Sequence, residues 1–480
     1  MNSTTGLRYE QIAGALQEAM ASGVLRPGDR APSVRSLQHQ HRVSASTAIS
    51  ALMLLENQGW LEARPRSGFY VRPRRADEVP EPEAPRMSGS ATPIGLSGAS
   101  ARIFTDSARD DVVHLGAAIP APALLPWEKL NRLSATEARR LGPRAIAYDM
   151  APGTDRLRRA IARRYLHAGC PMAADDLVVT TGGQEAVTLA LRAVCKAGDV
   201  VAIESPMFFG ILQVMDVLGL NVVEIPCHAR TGMDLQALER AIRRHRIAAC
   251  VAIPQFNNPQ GSLMPEEHKK ALVAMLGKRD IPLIEDDIYG ELYFGPTRPR
   301  PALTFDNKGL VLMCASVSKT LAMGLRTGWI APGRYRDAVL RVKRSTSVAS
   351  ATLPAHVVAE FLTNGGYDHH LRSLRTALQR QVSRLSEAVA QTFPKGVRIT
   401  RPQGGLVLWV ELPRGVDAVR LHEEASAERI SIAPGPLFSA RGNFRNFIRL
   451  NCGEPWSPQH ERALTILGHL AQKQSRKTSR

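Results

Sequence analysis

The sequence predicts an α/β protein preceded by a smaller, mainly helical unit, and two patterns lead to this prediction. From about residue 177 onward, short apolar runs typical of buried strands alternate with helical segments, and each run ends in glycine, polar or acidic residues. The first 75 residues have a different order, with three helical segments followed by two short strand-like runs. A chain of 480 residues is long enough for both parts.

Residue types that can bind a ligand follow the carboxyl end of each strand-like run. Parallel strands of an open α/β sheet bind ligands at their carboxyl ends, so these residues are expected to meet there. Backbone amides at a helix start bind phosphate, and acidic side chains after an apolar strand need a cation or a hydrogen-bond donor. The runs are Leu177–Thr180 before Gly183 and Gln184, Val200–Ile203 before Phe208, Cys250–Pro254 before Asn258, and Ile281–Ile284 before Asp286 and Tyr289.

A lysine among hydroxyl residues completes this pattern. Lys319 follows Ser316 and Ser318, and Arg326 comes seven positions later. A buried lysine amine forms a Schiff base with an aldehyde, while hydroxyls and a guanidinium neutralise a phosphate dianion. Such a lysine alone is also compatible with a solvated surface charge. Together with the strand-end residues, it indicates a site for an aldehyde cofactor that carries a phosphate.

From about Val112 onward the chain resembles the class I aminotransferases, which are fold-type-I pyridoxal-phosphate enzymes. The resemblance implies a mixed seven-stranded-type sheet with helices on both faces and a smaller C-terminal α+β part. Residues 112–480 would form this domain, with the large part at about 150–345 and the small part at about 346–480. It also implies pyridoxal 5'-phosphate as cofactor and no metal.

The resemblance assigns a role to each matching residue. Lys319 is similar to the lysine that carries the cofactor, and Asp286 to the partner of the pyridine nitrogen. Phe208 matches the residue that stacks on the ring, although relatives usually have Tyr or Trp there. The other matches are Tyr289 and Asn258 for the ring hydroxyl, Gly183, Gln184, Ser316, Ser318 and Arg326 for the phosphate, Tyr148 for the phosphate of a neighbouring subunit, and Arg449 for the α-carboxylate of the substrate or effector.

The first 75 residues predict a winged helix-turn-helix. Residues 9–22 have helical apolar spacing, Ser33 and Ser44 are candidate caps for two further helices, and Gly59 ends the third. The runs at 60–63 and 69–72 predict a hairpin. A small helical dimerisation module is the alternative interpretation.

The amino-acid sequence of this segment resembles the GntR family of bacterial regulators, in Leu25–Arg35 and in Val43–Thr47. The resemblance implies that the third helix enters the major groove of double-stranded DNA. Ala45 departs from the family, because relatives often have Arg there, and His41 and Arg42 replace an apolar residue and Gly. The implied DNA contacts are Arg35, Ser44, Ser46 and Thr47, with Arg66, Ser67 and Gly68 in the wing.

Composition sets further expectations. The net charge of +18 and the pI near 10.1 suit a polyanionic partner, although residues 1–75, with 10 Arg and 5 acidic residues, contribute only about +5. Residues 76–111 are rich in Pro, Glu, Ser, Gly and Ala and predict a flexible linker. The six cysteines show no metal-binding spacing. With no apolar run of transmembrane length and no signal segment, we expect a cytoplasmic protein without membrane contact.

With a GntR-type DNA-binding unit joined to an aminotransferase-like domain, the whole chain resembles the MocR-type regulators. The resemblance implies a homodimeric transcriptional regulator that binds pyridoxal phosphate, an operator with two half-sites, and an amino acid or other amino compound as effector. A working aminotransferase that carries an accessory DNA-binding domain is the alternative. A lyase or decarboxylase is a third possibility, since the sequence does not show the substrate geometry that selects the reaction.

Overall fold

The computed structural model describes residues 8–21, 24–57, 59–64, 67–72, 79–95, 109, 111–364 and 366–478. Its N-terminal unit has three helices and a two-stranded antiparallel hairpin, as the sequence predicts. The side chains of Ile12, Leu37, Leu52 and Leu55 form its core. These elements are α1 (Arg8–Ala21), α2 (Val34–His41), α3 (Ala45–Asn57), β1 (Leu61–Arg64) and β2 (Gly68–Val71).

Local hydrogen bonds determine where these helices begin. Ser33 Oγ accepts from the amide of Ser36, and Ser44 Oγ accepts from the amide of Thr47, so both predicted caps form. Between the two helices, Arg42 adopts a left-handed backbone with φ of 51°. Arg42 therefore takes the conformation in which the family usually has glycine.

The remaining elements form an α/β domain with two parts. In chain order they are β3 (Val113–His114), α4 (Trp127–Leu141), β4 (Asp149–Met150), α5 (Asp155–His167), β5 (Val178–Thr180), α6 (Gly183–Val194), β6 (Val200–Ser205), α7 (Phe209–Val217), β7 (Asn221–His228), β8 (Gly232–Met233), α8 (Leu235–Arg244), β9 (Ile247–Ala252), α9 (Glu266–Gly277), β10 (Leu283–Asp286), β11 (Val311–Ser316), β12 (Gly328–Ala331), α10 (Arg336–Thr346), β13 (Ala349–Ser350), α11 (Thr352–Thr363), α12 (Gly366–Thr392), β14 (Arg398–Ile399), β15 (Val407–Glu411), α13 (Ala418–Ala427), β16 (Ile430–Ser431), β17 (Ala433–Pro434), β18 (Phe447–Asn451) and α14 (Pro458–Thr478).

The large part is built on a mixed sheet with the strand order β5-β12-β11-β10-β9-β6-β7-β8. Strands β7, β6, β9, β10 and β11 are parallel, whereas β12 is antiparallel to both of its neighbours. The sheet has eight strands where the sequence predicts a seven-stranded type, because the two-residue β8 turns back on the edge strand β7. The parallel strands are buried almost throughout, as expected for a sheet covered on both faces.

The small part contains a four-stranded antiparallel sheet with the order β14-β15-β18-β17. Helices α12, α13 and α14 pack around this sheet, and Leu385, Leu421 and Leu464 belong to the core that they share with it. The early strand β3 also joins the small part, since it pairs with β16 in parallel. The segment after β3 therefore reaches the boundary between the two parts.

Residues 79–95, which we call the linker strap, pack against the α/β domain, whereas the sequence predicts a flexible linker over residues 76–111. Thr92 and Val222 exchange both backbone hydrogen bonds, at 2.9 and 2.8 Å, and Ile94 is buried in the core of the large part. On the small part, the carbonyl of Pro80 accepts from Ile399, and Glu81 accepts from the amide of Arg401. A Pro-rich composition predicted flexibility, but an edge strand and a nearby apolar pocket offer this segment backbone and side-chain partners.

Within the described residues, no helix is both long enough and apolar enough to cross a membrane.

Candidate cofactor and ligand site

A cavity of about 380 Å³ lies at the carboxyl ends of the parallel strands. Both parts contribute to it, because Arg449 comes from β18 and most other residues come from the large part. Its size is within the range of small-molecule sites. The lining residues are Ala117, Ala118, Ile119, Gly183, Gln184, Val187, Phe208, Phe209, Gly210, Gln213, Ile253, Asn258, Asp286, Ile288, Tyr289, Ser318, Lys319, Arg326 and Arg449.

Lys319 reaches into this cavity from the turn after β11. Its Nζ donates to the carbonyl oxygen of Ala118 at 2.7 Å. Loss of solvation in the cavity, followed by the positive charges of Arg449 and Arg326, lowers the pKa of Lys319 to about 8. A large fraction of the amine is therefore unprotonated at mildly alkaline pH, which is the form that attacks an aldehyde.

Asp286 is the last residue of β10 and is buried. Its Oδ1 accepts from the amide of Ile288 at 3.2 Å. Burial, and then the charge of Asp287, raise the pKa of Asp286 to about 7, while the nearby Lys319 opposes this shift. A carboxylate under this desolvation cost gains from a cationic or protonated nitrogen partner.

Asn258, after β9, and Tyr289, after β10, both line the cavity and contact each other. Asn258 Nδ2 donates to the hydroxyl oxygen of Tyr289 at 3.1 Å. Burial raises the pKa of Tyr289 to about 12, so its hydroxyl is neutral and available as a donor. The structure thus brings together both residues that the sequence predicts for a ring hydroxyl.

The glycine turn before α6 forms a cradle with Arg326. Gly182 has φ of +84°, and a Cβ atom there would lie 2.6 Å from Nη2 of Arg326. The same Nη2 donates to the carbonyl of Thr181 at 3.2 Å, and Ser316 Oγ accepts from the amide of Ser318. A guanidinium, the amides at a helix start and nearby hydroxyls suit a phosphate dianion.

Phe208 lines the cavity just before α7. A Cβ atom on Gly210 would lie 2.5 Å from Cε1 of Phe208, so only glycine leaves room for this ring position. The side-chain amide of Gln184 donates to the carbonyl of Gly210 at 2.6 Å, which ties the start of α6 to this turn. An aromatic face is thereby held against the cavity.

Arg449 is a buried cation with neutral partners. Its side chain is in the small-part strand β18 and the residue is 1% exposed. Nη1 donates to Oδ1 of Asn258 at 3.0 Å, Nη2 donates to the carbonyl of Gly116, and Nε has no partner among the described residues. Burial lowers the pKa of Arg449 to about 10. A buried guanidinium that lines a cavity, has no acidic partner in the described part of the chain and keeps an unpaired Nε is suited to a carboxylate.

The other predicted residues lie elsewhere. Tyr148 is 81% exposed and does not line the cavity of its own chain. In the N-terminal unit, Arg35, Ser44 and Ser46 are exposed and Thr47 is partly buried. Ser67 shares a hydrogen bond with Tyr70, and Gly68 has φ of +103°. Arg66 lies outside the described residues.

Several contributors to the site were not predicted. The carbonyls of Ala118 and Gly116 follow β3, a segment without a recognisable motif. Glu185 accepts from the amide of Thr181 in the glycine turn and pairs with Lys343 at 3.1 Å. The sequence signal for Glu185 is only its position as an acidic residue in the first turn of α6. The distant Lys343 has no such signal.

Comparison with known sequences identifies both units. Residues 128–464 match the family described as aminotransferase class I and II, and residues 8–71 match the bacterial regulatory proteins of the gntR family. YjiR of Escherichia coli strain K12, named as an uncharacterized HTH-type transcriptional regulator, is 37% identical over 96% of this chain and 98% of its own length. The chain is a MocR-type member of the GntR regulators.

Relatives of this MocR-type chain also include enzymes. The 2-aminoadipate transaminase of Thermus thermophilus is 30% identical over 72% of this chain and 86% of its own length. The crystal structure of LysN, an α-aminoadipate aminotransferase of Thermus thermophilus complexed with N-(5'-phosphopyridoxyl)-L-leucine, has a TM-score of 0.73, 27% identity, and coverage of 79% of this chain and 95% of its own. A multiple substrate aminotransferase from Thermococcus profundus shares the fold, with a TM-score of 0.74, 24% identity, and coverage of 79% of this chain and 96% of its own.

Proposed function

We propose that this protein is a DNA-binding transcriptional regulator whose α/β domain binds pyridoxal 5'-phosphate and senses an amino compound. One observation carries the proposal. A single cavity brings together Lys319, Asp286, Arg326 and Arg449 in a chain whose residues 8–71 match the gntR regulators. The cavity would bind the ligand, and the N-terminal unit would bind DNA.

The residues of the cavity fit the cofactor. Arg326, the amides at the start of α6 and Ser318 would hold the phosphate, and the missing Cβ of Gly182 leaves room for Arg326. Asp286 would accept from the pyridine nitrogen, and its raised pKa makes this partner favourable. When bound, pyridoxal phosphate supplies an aldehyde for amines and an electron-withdrawing ring. Lys319 provides the amine that would hold it.

Arg449 supports an amino acid as effector. Its guanidinium has room for one carboxylate, because its Nε is unpaired and its described hydrogen-bond partners are a neutral amide and a carbonyl. Asn258 connects it to Tyr289, which lines the same cavity. A ligand with an α-carboxylate would therefore contact both parts of the domain at once, and this contact would favour their closed arrangement.

An exposed apolar surface supports a homodimer. Ile146 is 92% exposed, and Tyr148 and Met150 are 81% and 53% exposed. Met150 pairs across β4 and β13 with Ala349, next to the exposed Val348, so these side chains share one surface. Such a patch is unfavourable in water unless another protein surface covers it. In a dimer, Tyr148 would reach the cavity of the other subunit, and the two N-terminal units would bind two half-sites of the operator.

The cofactor assignment is tested by borohydride trapping. The purified protein is expected to be yellow, and peptide mapping after reduction is expected to find the label on Lys319. Lys319→Ala abolishes the absorbance because no other lysine lines the cavity among the described residues. A label on another lysine would refute the assignment.

The regulator assignment is tested by footprinting on the DNA that flanks the gene of this protein, with and without pyridoxal phosphate. Specific protection with strong salt dependence is expected, because arginines of the N-terminal unit would replace counterions on the phosphates. A protein that lacks residues 1–75 should lose all protection. Protection by the truncated protein would contradict the proposal.

An active aminotransferase is the second candidate, and one observation favours it. Lys319, whose pKa is lowered, and Arg449, whose Nε is unpaired, line the same cavity, and this supports a reactive amine beside a site for a carboxylate. Mixing the loaded protein with single amino acids tests this function. Formation of the matching 2-oxo acid, lost in Lys319→Ala, would support it.

A further inference from the structure

The third helix of the N-terminal unit presents an apolar stripe. Ala45, Ile49 and Met53 are four residues apart on α3 and therefore lie on one side of it. Ile49 is 41% exposed and Met53 is 50% exposed, and Ala45 is exposed as well. The opposite side of α3 already supplies the core of the unit through Ala48, Leu52 and Leu55. The stripe therefore has a separate role from folding of this unit.

The polar side chains at the start of α3 are engaged with each other. Ser44 Oγ is 2.8 Å from Ser46 Oγ and 2.9 Å from Thr47 Oγ1, and it also accepts from the amide of Thr47. These hydroxyls cap the helix and satisfy part of one another's hydrogen-bonding capacity. Methyl and methylene groups, and no long hydrogen-bonding side chain, project along the stripe.

Length and charge indicate what covers the stripe. Eight residues of helix span about 12 Å, which is about the width of the major groove of B-DNA. Arg35 and Arg42 lie before α3 in the chain and are exposed, whereas Arg64 in the hairpin that follows is paired with Glu62. Exposed arginines just before the stripe in the chain suit the phosphates of a groove whose one apolar group is the 5-methyl group of thymine.

We propose that Ala45 and Ile49 read thymine methyl groups, so that each half-site has thymines where relatives with Arg at the first position would read guanine. This inference rests on the DNA-binding function proposed above. Arg binds the acceptor pair of guanine, whereas an alanine or isoleucine side chain distinguishes thymine only by apolar contact. Met53 lies farther along the helix, where the stripe meets the edge of the groove.

The test uses the full-length protein and a randomised duplex pool amplified with thymidine. After the selected motif is known, each thymine is replaced singly by deoxyuridine, which pairs identically but lacks the methyl group. Loss of one buried methyl group is expected to weaken binding about three- to fivefold at the positions that face the stripe. Deoxyuridine without effect at every position would overturn the proposal.

Three variants identify the residues. Ile49→Ser should remove the deoxyuridine effect at one position and keep it at the others. Ala45→Arg should select a guanine where the natural protein selects a thymine. Val24→Ser is the matched control, because Val24 is 75% exposed in the same unit but lies outside α3, and it should select the original motif. Thermal unfolding curves establish that each variant is folded.

The outcomes separate this inference from the function on which it rests. Absence of DNA binding even at low salt would refute the regulator function. Salt-dependent binding with no selected motif, or selection of an unchanged motif by Ala45→Arg, would overturn methyl reading alone. A change of oligomeric state in Ile49→Ser with unchanged DNA selection would also overturn it, because the stripe would then be a protein contact.

Discussion

Arg449 on β18 donates to Oδ1 of Asn258 at 3.0 Å, and this hydrogen bond joins the small part of the domain to the large part. Asn258 passes the connection on to Tyr289 at 3.1 Å. A carboxylate that binds Arg449 would compete for, or rearrange, the contact with Asn258. The same guanidinium joins the two parts and, in the proposed function, would also bind the ligand.

Arg449→Lys should weaken binding of an amino-acid ligand by about 2–5 kcal/mol, because a single ammonium cannot replace a bidentate guanidinium in a buried site. Loading with pyridoxal phosphate and basal DNA binding should remain. Operator titration with and without candidate amino acids measures the effect. The exposed Arg462 provides the control Arg462→Lys. An Arg449→Lys protein that responds to an effector like the natural protein would show that the sensing site lies elsewhere.

The rate of loading with pyridoxal phosphate should rise about tenfold between pH 7 and 9 and then level off. The pKa of Lys319 is lowered to about 8, so its reactive neutral form becomes dominant as the pH rises through this value. Arg449→Met removes a positive charge that lowers this pKa, and the midpoint should move to higher pH. Stopped-flow absorbance measures both profiles. A midpoint near 10.5, the ordinary pKa of a lysine, would contradict the assignment of Lys319.

Lys343→Met should weaken retention of the cofactor although Lys343 does not line the cavity. The ammonium pairs with Glu185, whose carboxylate also accepts from the amide of Thr181 in the glycine turn. Without its partner, the partly buried Glu185 would move toward solvent and release this turn. Equilibrium dialysis of free pyridoxal phosphate measures the change. Lys308→Met, at an exposed lysine, should retain the cofactor normally.

Glu81→Ala should loosen the linker strap. Glu81 pairs with Arg230 of the large part and accepts from the amide of Arg401 in the small part, and its side chain is 15% exposed. Removal should cost about 1–2 kcal/mol of unfolding free energy and speed proteolysis between residues 79 and 95. Urea unfolding and limited proteolysis measure these effects. The control Glu83→Ala, at a side chain that is 84% exposed, should behave like the natural protein. Equal proteolysis of both variants would show that Glu81 does not anchor the strap.

Arg35→Ala distinguishes base reading from phosphate contact. A loss of about 1–3 kcal/mol for the operator alone would indicate that Arg35 reads a base edge. A similar loss for all sequences, with a smaller salt slope, would indicate a phosphate contact. Fluorescence anisotropy with operator and scrambled duplexes at several salt concentrations measures both. No change with either duplex would remove Arg35 from the DNA interface.

Local patterns in the sequence predicted most of the cavity. Glycine turns, strand ends and the lysine run are short segments, and an α/β sheet brings strand ends together in a known order. Gly183, Asn258, Asp286, Lys319 and Arg326 therefore meet where the sequence predicts. The partners that were missed, such as the carbonyls of Gly116 and Ala118, are backbone atoms of a segment with no distinctive side chains.

The sequence by itself determined the two units, the caps at Ser33 and Ser44, and most of the residues that line the cavity, because each depends on short-range spacing and on strand order. Only the tertiary structure decided that the linker strap lies along both parts of the domain, since docking depends on an edge strand and a pocket distant in the chain. It alone also decided that Arg449 is buried among neutral partners and that Ile49 is exposed. Burial and charge pairing arise from contacts between distant segments, which local sequence patterns do not contain.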